Sequence, residues 1–117
     1  MKNRPLTIKK RAEFLQVSRN GARAKTSSMV VICAKFDLCY DSKVGYTATR
    51  KIGNAVVRNR SKRRLRALVL KFSELFSPGE FFVFIGTENT GSIDYLKLES
   101  DFLYCVKKAR ERANDRP

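Results

Sequence analysis

Three stretches of apolar and β-branched residues along the chain predict strands. Met29–Phe36 and Phe81–Ile85 are apolar runs of the kind found in buried strands. Val44–Thr49 alternates residues that favour extended structure. Asp37–Ser42 contains turn-forming residues, so the pattern predicts that the strands on either side of it pair as hairpin-like neighbours.

Helical spacing of apolar residues predicts three helices. The first covers Ile8–Asn20 and ends at Gly21, with an apolar side formed by Phe14, Leu15 and Val17.

The second predicted helix follows Gly53-Asn54 and ends before Pro78-Gly79. Its apolar face consists of Val57, Leu65, Leu68, Phe72 and Leu75, with Ser61 in the remaining position. The third begins at Asp94, a suitable N-cap residue. Its apolar face consists of Leu98, Phe102, Cys105, Val106 and Ala109.

The predicted order of elements is αββαβα, which favours an α+β fold, a two-layer sandwich with helices against one sheet. A chain of 117 residues with 43% hydrophobic residues is long enough for one modest core. No linker or repeat interrupts the sequence, so we expect residues 1–117 to form a single domain with an ordered core of about residues 6–113.

Charge is the unusual feature of the composition. The chain carries 25 Lys and Arg against 11 Asp and Glu, a net charge of +14. Residues 1–66 account for a net +15 and the remainder for −1, and residues 50–66 contain eight cations and no acid. A solvated helix face normally mixes both signs of charge. The concentration of cations therefore predicts a surface that binds phosphates.

Several classes of chemistry are disfavoured by the residues present. The chain has no histidine, no phosphate-binding glycine loop and no paired cysteines at metal-ligand spacing, so we expect no catalytic residue and no metal site on the protein. The chain has three cysteines, Cys33, Cys39 and Cys105. An odd number of cysteines is typical of a protein in a reducing compartment, and Cys33 and Cys105 are predicted to lie in the core.

No signal peptide or membrane span is predicted. Residues 1–28 are rich in Lys and Arg with Glu13 as the one acid, so an organellar transit peptide stays an alternative to a cytoplasmic location.

Two residues near the cations have two interpretations each. Gly53 is a plain turn residue or lets RNA approach the backbone, and Phe14 is a core residue or stacks on an unpaired base.

One segment is far more specific than a generic basic helix. Residues 51–66 read KIGNAVVRNRSKRRLR, which closely resembles the RNR signature of the bacterial ribonuclease P protein family. The similarity includes Arg58-Asn59-Arg60, then Lys62-Arg63 and Arg66. Outside this segment, Glu13-Phe14, Gly21 and Gly45 also match features of the family, so that the resemblance extends over about residues 6–113.

The resemblance implies a fold and a function. The fold is a small α/β sandwich similar to a ribosomal-protein domain, with a left-handed βαβ crossover at the basic helix. The holoenzyme removes the 5′ leader of precursor tRNA by hydrolysing one phosphodiester bond. Its catalytic centre and Mg²⁺ belong mainly to the RNA subunit, and the protein holds the leader in a cleft between its first helix and the sheet. The implied partners are the catalytic RNA and precursor tRNA in a bacterial cytoplasm, without an obligate protein partner.

The resemblance also assigns roles to residues. Those implied to contact RNA are Lys51, Asn54, Arg58, Asn59, Arg60, Lys62, Arg63 and Arg66. Phe14 is implied to line the leader cleft, where Ser18 stands in place of the second aromatic residue of many relatives. Ser61 and Arg64 replace residues that are often apolar in relatives, which predicts weaker packing of the helix.

Two other functions are compatible with a basic protein of this kind. A ribosomal or ribosome-assembly protein would share the charge and the architecture, but it has no reason to combine the motif of residues 51–66 with Phe14. A DNA-binding helix-turn-helix protein is less consistent with the pattern, because strands rather than a partner helix flank the basic helix.

Overall fold

The protein is described here by a computed structural model, which covers residues 5–36 and 41–115. Its strands and α-helices are β1 (Leu6–Thr7), α1 (Arg11–Asn20), β2 (Ala22–Lys25), β3 (Met29–Lys35), β4 (Lys43–Ala48), α2 (Ala55–Lys71), β5 (Glu80–Gly86) and α3 (Tyr95–Asn114). Short 3₁₀ turns precede and follow α2, at Arg50–Ile52 and Ser73–Leu75.

All six predicted elements are present, and two further strands were missed. β1 has two residues, which is too short for a periodic pattern. β2 has four, and its alternation of alanine with Arg23 and Lys25 is the one local signal that could have identified it. The predicted second helix is also shorter than expected. α2 ends at Lys71, and Leu75 belongs to the 3₁₀ turn beyond it.

The five strands form one mixed sheet in the order β1-β4-β5-β3-β2. β5 is antiparallel to β3 and parallel to β4, so it lies between them. The predicted hairpin-like pairing of β3 with β4 is therefore wrong. Phe81, Phe82, Val83 and Phe84 of β5 are all buried, as expected for an interior strand that is covered on both faces. The turn predicted between β3 and β4 includes residues 37–40, which lie outside the described residues.

The connection from β4 through α2 to β5 is left-handed. The carbonyl of Val44 accepts a hydrogen bond of 2.9 Å from the N–H of Ile8, so it points toward β1 and away from β5. The side chain of Val44 packs in the same cluster as Leu65 of α2. When the sheet is viewed from α2 with β4 running upward, the chirality of an L-residue puts the carbonyl of Val44, and therefore β1, on the right. β5 then lies on the left of β4. The expected crossover is confirmed, although nearly all such connections are right-handed.

Helices cover both faces of the sheet. α2 and α3 pack on one face, where the whole predicted apolar stripe of α3 is buried. α1 adds a cover over part of the opposite face, with Val17 packed near Ile32 and Val83. Leu15 was predicted to be on the apolar side of α1, but 40% of it is exposed, because it lies more than half a helical turn away from the buried Val17.

The two cysteines within the described residues are core residues, as predicted. Cys33 and Cys105 are fully buried. Burial raises the pKa of the Cys33 thiol to about 12 and that of Cys105 to about 11. Both thiols are therefore protonated at neutral pH, which makes them poor nucleophiles and metal ligands. Cys39 lies outside the described residues.

Within the ranges described, no helix combines the length and the apolar character that crossing a membrane requires.

Candidate RNA interface

The start of α2 has a conformation that depends on Gly53-Asn54. Gly53 has a φ of 143°, and a Cβ at this position would lie 2.9 Å from the Cβ of Val57. The side-chain oxygen of Asn54 accepts a hydrogen bond of 3.1 Å from the N–H of Val57 and caps the helix. The helix itself therefore requires this glycine. The oxygen of Asn54 belongs to the cap, which leaves its amide group as the donor that can face RNA.

The polar side chains of α2 form three rows along the helix, because residues four positions apart lie on the same side. One row contains Arg58, Lys62 and Arg66, the next contains Asn59 and Arg63, and the third contains Arg60 and Arg64. The buried residues of α2 occupy the remaining side: Ser61, Leu65, Leu68 and Val69.

The first of these rows points toward β4. The guanidinium of Arg66 lies over the ring of Tyr46 at 5.2 Å, although Arg66 itself is exposed. Lys62 and Arg58 are half-buried, and the Nε of Arg58 is buried without a hydrogen-bond partner in the described structure. Burial raises the pKa of Tyr46 to about 12, so its hydroxyl stays protonated and the ring stays neutral beneath the arginine.

The remaining predicted RNA contacts face solvent. Asn59, Arg60 and Arg63 on α2 are exposed, as is Lys51 in the 3₁₀ turn before it. None of the ion pairs among residues 5–36 and 41–115 involves a cation between positions 50 and 66. The structure thus brings the predicted residues together on one surface whose cations form no ion pair with a carboxylate of the described residues.

Ser61 is closely packed, although a serine at this position was expected to weaken the packing of the helix. It is fully buried, and its hydroxyl donates a hydrogen bond of 3.0 Å to the carbonyl of Val57. A Cβ at Gly86 would lie 3.2 Å from the Cβ of Ser61, and one at Gly91 would lie 3.4 Å from its Oγ. Backbone at these two glycines fills the space that a larger side chain would need, so the expectation of looser packing is wrong at this position.

A groove beside α1 contains both residues that were predicted to line the leader cleft. Phe14 and Ser18 border a space of about 490 Å³, together with Lys9, Arg11, Leu15, Tyr46 and Thr47. The ring of Phe14 lies directly on β4, since a Cβ at Gly45 would approach its Cζ to 2.5 Å. Phe14 is half-buried. It therefore serves as a packing residue on one side and as an aromatic surface of the groove on the other.

The strand residues on the groove side of the sheet follow from the register. Thr47 pairs with Ile85, Ile85 with Val30, and Val30 with Lys25, which gives one row across four strands. Lys25 is exposed and the other three are half-buried. The row starts at the groove and leads to a cation on β2, a path of the kind that a single strand of RNA can follow.

Sequence reasoning missed several residues of this groove. Arg11, Leu15 and Ser18 recur at helical spacing around Phe14, so the periodicity of α1 could have identified Arg11. The row across the strands could not have been found, because it depends on β5 lying between β3 and β4.

A metal centre built by a protein requires several ligating side chains close together. Among the described residues there is no group of three or more His, Cys, Asp or Glu side chains arranged to hold a metal ion.

Comparisons with known proteins agree with this arrangement. The sequence model of the family described as Ribonuclease P matches residues 2–110. The chain is 37% identical over 114 residues to the ribonuclease P protein component of Gluconacetobacter diazotrophicus, covering 96% of this chain and 97% of that protein. The corresponding protein of Erythrobacter litoralis is 35% identical over 116 residues, with 98% and 94% covered. The chain belongs to the ribonuclease P protein family.

Solved structures of the family share the fold. The ribonuclease P protein of Staphylococcus aureus superimposes with a TM-score of 0.79 at 21% identity, covering 93% of this chain and 99% of that one. The protein from Thermotoga maritima gives a TM-score of 0.71 at 22% identity, with 95% and 98% covered. Family membership makes the chain a protein subunit of a ribonuclease with an RNA component, and supports this function over the ribosomal alternative.

Proposed function

We propose that the cationic surface of α2 docks on the catalytic RNA of ribonuclease P. The observation that carries this proposal is the set of cations from Arg58 to Arg66, which form no ion pair among the described residues and occupy three adjacent rows of α2. Folded RNA offers closely spaced phosphates, and the planar guanidinium group binds phosphate through two parallel hydrogen bonds. The proposed contacts are Lys51, Asn54, Arg58, Asn59, Arg60, Lys62, Arg63 and Arg66.

The groove beside α1 is proposed to hold the 5′ leader of precursor tRNA. Phe14 supplies an aromatic surface for one base, and Lys9 and Arg11 supply cations for the backbone. Ser18 supplies a hydroxyl where a second ring would stack, so the aromatic surface is small. Tyr46 lines the groove and also lies beneath Arg66, so a leader held in the groove would lie next to the cationic surface of α2.

The proposed holoenzyme assigns different tasks to the RNA and to the protein. The RNA subunit supplies the catalytic centre and holds most of the Mg²⁺, and the protein binds and orients both RNAs in the bacterial cytoplasm. A single protein chain suffices for this task, and no second protein is required in the proposal.

Reconstitution tests the proposed function directly. The purified protein, added at a stoichiometric amount to a bacterial ribonuclease P RNA, is expected to accelerate leader removal at low Mg²⁺, because added cations offset phosphate repulsion between the RNAs. The measurement is the rate of formation of the mature 5′ end, with the cut mapped to a single phosphate. Protein without RNA serves as the control. Absence of stimulation, or cutting by the protein alone at the correct phosphate, would contradict the proposal.

Phe14 provides the test of the groove. Phe14→Ala is expected to reduce the preference for precursor over mature tRNA by about tenfold, since stacking on one base contributes about 1–3 kcal/mol. The measurement is the dissociation constant of the holoenzyme for each RNA. Leu15→Ala is the matched control, because Leu15 borders the same groove without an aromatic ring. An equal loss of affinity for both RNAs would show that Phe14 acts only in packing.

A further inference from the structure

Arg64 has contacts within the protein that its neighbours Arg60 and Arg63 do not share in the described structure. Its Nη1 donates a hydrogen bond of 2.8 Å to the main-chain oxygen of Thr90, and its guanidinium lies 5.9 Å from the centre of the Tyr95 ring. Arg60 and Arg63 are exposed, whereas Arg64 is half-buried. Arg64 therefore joins α2 to the loop of residues 87–93 and to the start of α3.

The 87–93 loop is itself held in place by hydrogen bonds to a turn between β2 and β3. Thr90 is fully buried, and its hydroxyl donates to the carbonyl of Ser28 at 2.5 Å while accepting from the N–H of Thr87 at 2.7 Å. The side chains of Thr87 and Asn89 both donate to the carbonyl of Ser27, at 2.8 and 3.1 Å. The loop is thus fixed at one end by this turn.

The turn between β2 and β3 is also hydrogen-bonded to α3. The hydroxyl of Ser28, fully buried, donates a hydrogen bond of 2.8 Å to the carboxylate of Asp101. Lys97 pairs with the other oxygen of Asp101 at 3.1 Å. A series of contacts thus runs from α3 through the turn and the 87–93 loop to Arg64 on α2.

The same loop borders a solvent-facing arginine. A Cβ at Gly91 would lie 3.8 Å from the Cδ of Arg60, so the loop backbone runs beside the stem of this side chain. Arg60 and Arg64 belong to one row of α2, and the loop contacts both. Movement of the loop would therefore change the space in which the guanidinium of Arg60 is held.

We propose that Arg64 is a positioning residue that fixes the 87–93 loop against α2 and thereby directs Arg60 toward the catalytic RNA. The proposal rests on the proposed docking of α2 on that RNA. Two features make Arg64 a poor phosphate ligand: the carbonyl of Thr90 already occupies one of its nitrogens, and the ring of Tyr95 lies against its guanidinium. A loop held in advance lowers the entropy that Arg60 loses when it binds RNA.

The test compares Arg64→Met with Arg63→Met, since methionine keeps an apolar stem and removes the charge in both. Arg64→Met is expected to weaken binding of the ribonuclease P RNA about fivefold with an unchanged dependence of log Kd on log salt. Amide exchange in residues 87–93 is expected to become about tenfold faster, because the loop loses a hydrogen bond to a charged group. Arg63→Met is expected to lower the salt dependence by about one unit and leave the exchange unchanged.

A second pair of variants addresses the loop without changing any charge. Thr90→Val removes the hydroxyl that holds the loop to Ser28, whereas Thr90→Ser keeps it. We expect faster loop exchange and about fivefold weaker RNA binding for Thr90→Val, and recovery of both for Thr90→Ser.

The possible results separate the two proposals. A salt dependence that falls equally in Arg64→Met and Arg63→Met would show that Arg64 binds a phosphate, which overturns the positioning role. Unchanged loop exchange in Arg64→Met would overturn it as well. An unsubstituted chain that fails to bind the ribonuclease P RNA would instead overturn the proposed function of α2.

Discussion

Replacing Arg60 and Arg63 together by methionine is expected to weaken binding of the ribonuclease P RNA about 100-fold near physiological salt. Both side chains are exposed and neither forms an ion pair within the described residues, so their charge is available to phosphates. A hydrogen bond to a charged group contributes about 1.5–3 kcal/mol, and losing two of them corresponds to at least this factor. The dependence of log Kd on log salt is expected to fall by about two units.

The control for this pair removes the same amount of charge from another helix. Lys107→Met with Lys108→Met lowers the net charge equally, but both residues lie on α3. We expect less than about a threefold change in affinity, because charges beyond a Debye length of about 8 Å from the RNA are screened. Equal weakening by the two double variants would show that overall charge, and not the face of α2, determines binding. Thermal unfolding of both variants should match that of the unsubstituted chain.

Most of the secondary structure could be predicted because each long element satisfies a local rule. The stripe of α3 from Leu98 to Ala109 is fully buried, and its N-cap at Asp94 accepts from the N–H of Leu96 as a capping residue does. The cations of α2 could also be placed on one surface, since its apolar positions left no other side for them. These properties depend on residues close together in the sequence.

Pairing between strands could not be predicted in the same way. The turn residues after β3 are compatible with several partners, and β3 and β5 are both buried on both faces, so no local pattern shows that β5 lies between β3 and β4. The contact of Arg66 with Tyr46 and that of Arg64 with Thr90 both depend on this topology. A run of like charges in the sequence therefore does not distinguish arginines that face solvent from one that binds the protein's own backbone.

The largest expected loss of stability comes from a cation far from the α2 surface. Glu80 at the start of β5 is buried, with 5% of its side chain exposed, and Arg110 on α3 contacts both of its carboxylate oxygens at 2.7 and 2.8 Å. Arg110 also donates to the carbonyl of Leu75 and lies 5.7 Å from the centre of the Phe82 ring. This single side chain thus connects α3, β5 and the turn that follows α2.

Arg110→Met is expected to lower the free energy of unfolding by about 3 kcal/mol, because it leaves a buried carboxylate without its counter-charge. In chemical denaturation the midpoint falls while the slope stays the same. Lys108→Met is the matched control on the same helix: its pair with Glu111 is exposed and 3.7 Å apart, so we expect a loss below about 0.5 kcal/mol.

A further substitution distinguishes the loss of stability caused by the unpaired buried charge from the loss caused by missing packing contacts. Adding Glu80→Gln to Arg110→Met removes the unpaired charge and keeps an oxygen that can accept from the N–H of Ser77, as Glu80 does at 3.1 Å. We expect the double variant to recover about half of the lost stability. No recovery would mean that Arg110 acts through its contacts with Leu75 and Phe82 alone. RNA binding by folded Arg110→Met should keep its salt dependence, since Arg110 lies outside the cationic surface of α2.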